Sequence, residues 1–112
     1  MVIKLTKANL FYNYLLWLDP MLNLTKVERQ ILAAILTLHY FNGGSKEVMD
    51  SIFIQESLDK IRQKLKLSDK IFKEGLNKLS NRGYITQDGV APLFTSYPKN
   101  GKFEVTLKFE YE

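Results

Sequence analysis

The stretch LKLSDKIFKEGLNKLSNRGYI, residues 65–85, decides how this chain is read. Ser68 stands where a helix N-cap belongs, because its hydroxyl oxygen accepts from a backbone N–H that the first turn leaves without an intrahelical partner. Ile71, Phe72, Leu76 and Leu79 then recur at spacings that place them along one side of a helix. Gly83 ends that helix, since glycine takes the left-handed C′ conformation cheaply. Tyr84-Ile85 leads into extended chain. Before Ser68, Lys66-Leu67 makes a tight turn, and Leu58, Ile61 and Leu65 recur every three or four residues behind a second N-cap candidate, Ser57. The spacing thus predicts a short helix, a turn, a longer capped helix and an exit into a strand.

Working outward, Thr25 and Glu28 form a capping box that opens a helix from residue 24 or 25 to Tyr40 or Phe41, closed by Asn42-Gly43-Gly44. From Ile31 to Phe41 this helix carries no formal charge, which predicts burial on several sides as the central core helix; a second subunit over one face is the alternative. Residues 8–18, ANLFYNYLLWL, read as an earlier short helix stopped by Asp19-Pro20. Residues 45–51 read as a polar connection, and Ser51-Ile52-Phe53-Ile54 as either a short strand or the first turn of the next helix. Beyond Gln87-Asp88-Gly89, a turn, two strands are expected over 90–97 and 102–111. The second alternates Phe103, Val105, Leu107, Phe109 and Tyr111 with polar residues, and Asn100-Gly101 is a strong hairpin signal.

With 112 residues and 46% apolar content, the chain is expected to be a single globular domain able to bury a core without metals or disulfides. It has no cysteine, which removes thiolate metal sites and fits a reducing compartment. No apolar run is long enough to span a bilayer, and residues 1–20 lack a signal-peptide layout, so a cytoplasmic location, in a bacterium or host cell or inside a particle assembled there, is expected. The net charge is only +4, but residues 57–83 hold eight basic side chains against three acidic ones. Such an excess is either the footprint of a polyanion-binding face or the solvated side of two helices.

In the order of its elements and in the pattern Ser57, Ile61, Leu65, Leu67, Ser68, Phe72, Leu76, Leu79, Arg82-Gly83-Tyr84-Ile85, the chain resembles the winged helix-turn-helix family of bacterial regulators and phage replication initiators. The resemblance covers roughly residues 24–111. It implies an α+β, mainly α fold: an N-terminal apolar arm or helix (1–23), a core of three helices (24–85) and a C-terminal β-hairpin wing (86–112). It also implies a DNA-binding protein, a small transcription regulator or nucleoprotein component acting on double-stranded DNA. On that reading Ser68, Lys70, Lys73, Asn77 and Lys78 enter the major groove, the lysines on phosphates and Asn77 on an adenine edge, while Lys99, Asn100 and Lys102 at the wing tip follow the backbone.

The chain departs from the family pattern at Arg62 and Lys66, where small residues or glycine are usual, so Lys66 must either adopt a left-handed backbone or widen the turn. Asp69 and Glu74 stand where basic or hydroxyl residues are usual. Carboxylates there repel phosphate, although one can accept from cytosine N4. These acidic residues and the apolar N-terminus motivate a second expectation, a winged-helix protein–protein module serving a phage particle or a transcription complex. Phe11, Tyr14, Leu15 and Leu18 are the candidate residues for a homodimer or partner contact.

Nothing in the sequence points to an enzyme, a small-molecule substrate, a cofactor or a membrane. The lone His39 lies in an apolar helix with no second His or Cys to share a metal, and reads as a hydrogen-bonded core or edge histidine. There is no phosphate-binding glycine loop or nucleophile elbow. Trp17 and its aromatic neighbours Phe11, Tyr12 and Tyr14 read as core or interface rather than as a base-stacking platform.

Overall fold

The computed structural model describes residues 6–91 and Phe94. Six helices and one small hairpin follow in chain order: α1 (Leu10–Trp17), α2 (Asp19–Leu22), α3 (Lys26–Phe41), α4 (Lys46–Ile52), α5 (Gln55–Lys64), α6 (Asp69–Asn81), β1 (Ile85–Thr86) and β2 (Gly89–Val90). The described residues are therefore mainly helical with a two-stranded antiparallel sheet, in register Ile85 to Val90 and Thr86 to Gly89.

The chemistry at the start of α3 is the reciprocal capping box: Glu28 N donates to Thr25 Oγ1 at 3.2 Å, and Thr25 N donates to Glu28 Oε1 at 3.3 Å. The helix then buries Ile31, Leu32, Ala33, Ile35, Leu36 and His39. It is the axis of the molecule, with α1, α4, α5 and α6 all packed against it. The His39 ring meets the Ser45 carbonyl at 3.0 Å across the Gly43-Gly44 corner, so the histidine holds the exit of its own helix. From α1, Phe11 and Leu15 are fully buried, and Leu18 and Leu22 join the same core.

Asp19-Pro20 does end α1, but the chain re-enters a helical turn at once. Proline is tolerated in the first turn because its missing N–H would find no intrahelical acceptor there. The segment 45–51 is not an irregular connection. It is α4, with Ser45 Oγ accepting from Val48 N at 3.2 Å and Met49 and Ile52 turned inward. Ile52 thus belongs to α4 rather than to a strand. The helix expected behind Ser57 begins three residues earlier, at Gln55, with Ile54 as an N-cap that offers no side-chain acceptor; Ser57 sits inside its first turn. Of the strand expected over 90–97, the described residues are Val90, Ala91 and Phe94: Val90 ends β2, Ala91 already lies outside it, and Phe94 sits in a 3-10 turn rather than in a strand. The strand over 102–111 lies outside the described residues.

Helices α3 and α6 approach closely at Gly75. A Cβ on Gly75 would stand 2.6 Å from Ile31 Cδ1 and 3.5 Å from Val27 Cγ1, so the glycine lets the two helices touch. Farther along, α6 is tied back to the beginning of the chain by Arg82. Its Nη1 donates to the Asn23 carbonyl at 2.7 Å and reaches Glu28 Oε2 at 3.4 Å, while Nη2 donates to the Leu22 carbonyl. These are carbonyls that the C-terminus of α2 cannot satisfy within the helix, and Asn23 presents its own by adopting a left-handed backbone, φ 52°. Tyr84 reinforces the clamp, donating its hydroxyl to the Leu22 carbonyl at 3.1 Å and lying 5.1 Å from the guanidinium. Phe94 is buried edge-on against Tyr84.

Candidate nucleic-acid interface

The turn between α5 and α6 is built by the Lys66 backbone and by the side chains of Arg62 and Ser68. Lys66 takes a left-handed backbone, φ 58°, the first of the two solutions open to a residue with a Cβ at this position. Arg62 spans the turn from α5, its Nη1 donating to the Leu67 carbonyl at 3.2 Å. Ser68 Oγ then accepts from Ile71 N at 3.2 Å and starts α6. Arg62 therefore supplies a bond across the turn in place of the close helix contact that a small residue would allow.

On α6 the inward line is Phe72, Gly75 and Leu79, all buried, with Leu76 half-buried beside them. At 3.6 residues per turn the opposite line is Lys70, Glu74, Asn77 and Asn81, all exposed, with Lys73 and Lys78 exposed on its two flanks. The four α6 residues expected to meet DNA, Lys70, Lys73, Asn77 and Lys78, are thus brought to one exposed surface, with the N-cap Ser68 at its leading edge. The carboxylates fall in different positions. Asp69 is engaged by Lys73, Oδ2 to Nζ at 3.1 Å, an i,i+4 pair on the flank. Glu74 stands on the central line between Lys70 and Asn77. Lys70 and Lys78 form no ion pair with described residues. Ile71, 44% exposed, adds an apolar spot beside Lys78 that the charge pattern does not reveal. Lys99, Asn100 and Lys102 lie outside the described residues.

The N-terminal arm presents a different surface from the one expected. Phe11, Leu15 and Leu18 point into the core, and Tyr14 is half-buried, so three of the four candidate interface residues have no surface left to offer. The exposed apolar side chains of the arm are instead Leu16, Trp17 and Met21. The shift has a simple cause: α1 must supply one side to α3, and its outward residues are those between the buried ones. Burial raises the pKa of Tyr14 above its ordinary value.

Two arginines, Arg82 and Arg29, are structural. Arg82 is the clamp described above. Arg29 is 9% exposed, donates to Asp19 Oδ1 at 2.8 Å and to the Leu24 carbonyl at 3.2 Å, and lies over the Tyr12 ring. Hydrogen bonds to Asp19 and then Tyr12 raise its pKa, outweighing burial. Neither role has a signal in local sequence, because the partners are 10 and about 60 residues away.

Among the described residues there is no cluster of three metal-ligating side chains and no helix long and apolar enough to cross a membrane. Comparison with protein-family models, with curated proteins and with solved structures finds no match to this chain.

Proposed function

We propose that this protein is a winged helix-turn-helix that binds double-stranded DNA, as a small transcription regulator or nucleoprotein component, with α6 as its reading helix. The observation that carries the reading is the uncovered outer surface of α6, where Lys70, Lys73, Lys78 and Asn77 stand together next to a capped turn. A three-helix unit of α3, α5 and α6 supports that surface, and a hairpin follows directly. In the complex the three lysines neutralise phosphates and set the register. Asn77 pairs with an adenine edge, and Glu74 beside it accepts from cytosine N4, the one arrangement in which a carboxylate on the central line is favourable. Asp69 lies on the flank beside Lys73 rather than on the central line, so that lysine stands between it and the phosphates.

The test is fluorescence anisotropy with a random duplex. Micromolar or tighter affinity at ~50 mM salt, falling steeply by ~200 mM, is the expected result, since each neutralised phosphate releases counterions. Lys70→Glu with Lys73→Glu removes the binding and leaves the far-UV circular dichroism unchanged. No binding at the lower salt rejects the reading. A second reading, a winged-helix protein–protein module in a phage particle or transcription complex, draws on the place of Glu74 at the centre of the α6 face and on the exposed trio Leu16, Trp17 and Met21. It predicts co-purification of a partner that is lost on Trp17→Glu and indifferent to the lysine changes.

A further inference from the structure

A groove of about 590 Å³ opens between α1, α3 and α5, on a surface separate from the proposed reading face of α6. That volume lies within the ~300–1,000 Å³ of typical small-molecule sites. Its lining includes Ala33 and Ala34 of α3, whose small side chains leave the space, and Leu38, Ile61 and Tyr12, which make the walls apolar. Two polar side chains beside it are committed locally: Thr37 Oγ1 donates to the Ala33 carbonyl at 2.7 Å, and Asn9 Oδ1 accepts from Thr6 N at 3.0 Å. The charged residues of the lining are Lys60 and Lys64, one turn apart on α5, and no carboxylate lines the groove. Lys64 has no ion-pair partner among the described residues, and Lys60 has only a long exposed contact, 3.6 Å, to Glu56.

An apolar trough with two cations and no carboxylate in its lining is complementary to one kind of occupant, an apolar body ending in a single anion. We propose that this groove binds a fatty-acid-like carboxylate, its hydrocarbon lying over Ala33, Ala34 and Ile61 and its carboxylate accepting from Lys60 and Lys64. The assignment does not depend on DNA binding.

The experiment is isothermal titration of the intact protein with octanoate and decanoate, and with octanol and decanol, each below its micellar or solubility limit. Saturable one-to-one binding is expected, tightening by about fourfold for each added methylene. Each carboxylate should bind about tenfold more tightly than the alcohol of equal length, the value of one charge-assisted hydrogen bond. Lys64→Glu, at an exposed position, erases that preference and leaves alcohol binding intact. Ala34→Trp fills the groove and removes both series. Should that variant fail to fold, the Lys64→Glu comparison alone decides. Absence of saturable binding, equal affinity for acid and alcohol, or a Lys64→Glu protein that still prefers the acid overturns the proposal. So does capture of an acidic amphipathic peptide by a groove that ignores both carboxylates.

Discussion

Replacing Arg82 by alanine tests whether the clamp, rather than helix propensity, holds α6 to the start of the chain. The guanidinium donates to the Asn23 and Leu22 carbonyls, two charge-assisted bonds, and makes a longer contact to Glu28. Because the side chain is one-third exposed, the low end of the range applies, ~1.5 kcal/mol per bond and ~3 kcal/mol for two. Releasing the ordered side chain returns up to ~2 kcal/mol of rotamer entropy. Against that, Glu28 is only 3% exposed and would lose a long contact to its cation, a cost of roughly 1–2 kcal/mol.

The balance is a loss of about 2–3 kcal/mol for Arg82→Ala, which at a urea m value of ~1.5 kcal/mol/M lowers the midpoint by about 1–2 M. Urea unfolding followed by circular dichroism and Trp17 fluorescence measures it. Arg82→Lys should recover less than half, because an ammonium cannot fork across two carbonyls. A midpoint within ~0.3 M of the parent for Arg82→Ala, or full recovery with lysine, would refute the idea that the fork is what matters.

Three further outcomes follow from the same structure. Lys66→Gly removes the left-handed penalty at the turn and should raise stability by about 0.5–1 kcal/mol, seen as a melting temperature several degrees higher, whereas Lys66→Val should lower it. Gly75→Leu forces α6 off Ile31 and Val27 and should cost ~2–3 kcal/mol, with part of the loss recovered in a double mutant carrying Ile31→Ala; additive losses would count against a direct clash. Burial raises the pKa of Tyr14 in the folded state, so its contribution to stability is whole below the unfolded value near pH ~10 and is lost as pH rises through the folded value. An alkaline urea series should therefore show a smaller decline for Tyr14→Phe than for the parent.

Much of the fold could be read from short-range signals. The Thr25–Glu28 box, the uncharged run of α3, the cap at Ser68 and the stripe of α6 depend on residues within a turn or two of each other, and all are present. The conflict at Lys66 was also visible, since a residue with a Cβ in that turn has few conformations open to it. What was missed depends on distance or on weak local cues. Helix α4 is a single short element whose apolar content is Val48, Met49 and Ile52, and its polar remainder masks the Ser45 cap. The true start of α5 has no capping side chain to mark it. Phe11, Leu15 and Leu18 could not be sorted from Leu16 and Trp17 by periodicity, because nearly every residue from 14 to 18 is apolar. For the candidate site, the positions of Lys70, Lys73, Asn77 and Lys78 on one exposed surface were legible. The groove was not, because it depends on how three helices diverge.

The Arg82 clamp also sets an order of events during synthesis. The carbonyls of Leu22 and Asn23 are 60 and 59 residues upstream of the guanidinium that completes them. At roughly 5–20 residues per second, they leave the ribosome about 3–12 s before Arg82 does. During that interval α1 and α3 are available to pair, but the carbonyls at the end of α2 remain bound to water and the Glu28 carboxylate awaits its cation. Nascent chains arrested before residue 82 should accordingly be cut by protease near residues 22–24, and chains long enough to carry Arg82 clear of the exit tunnel should resist.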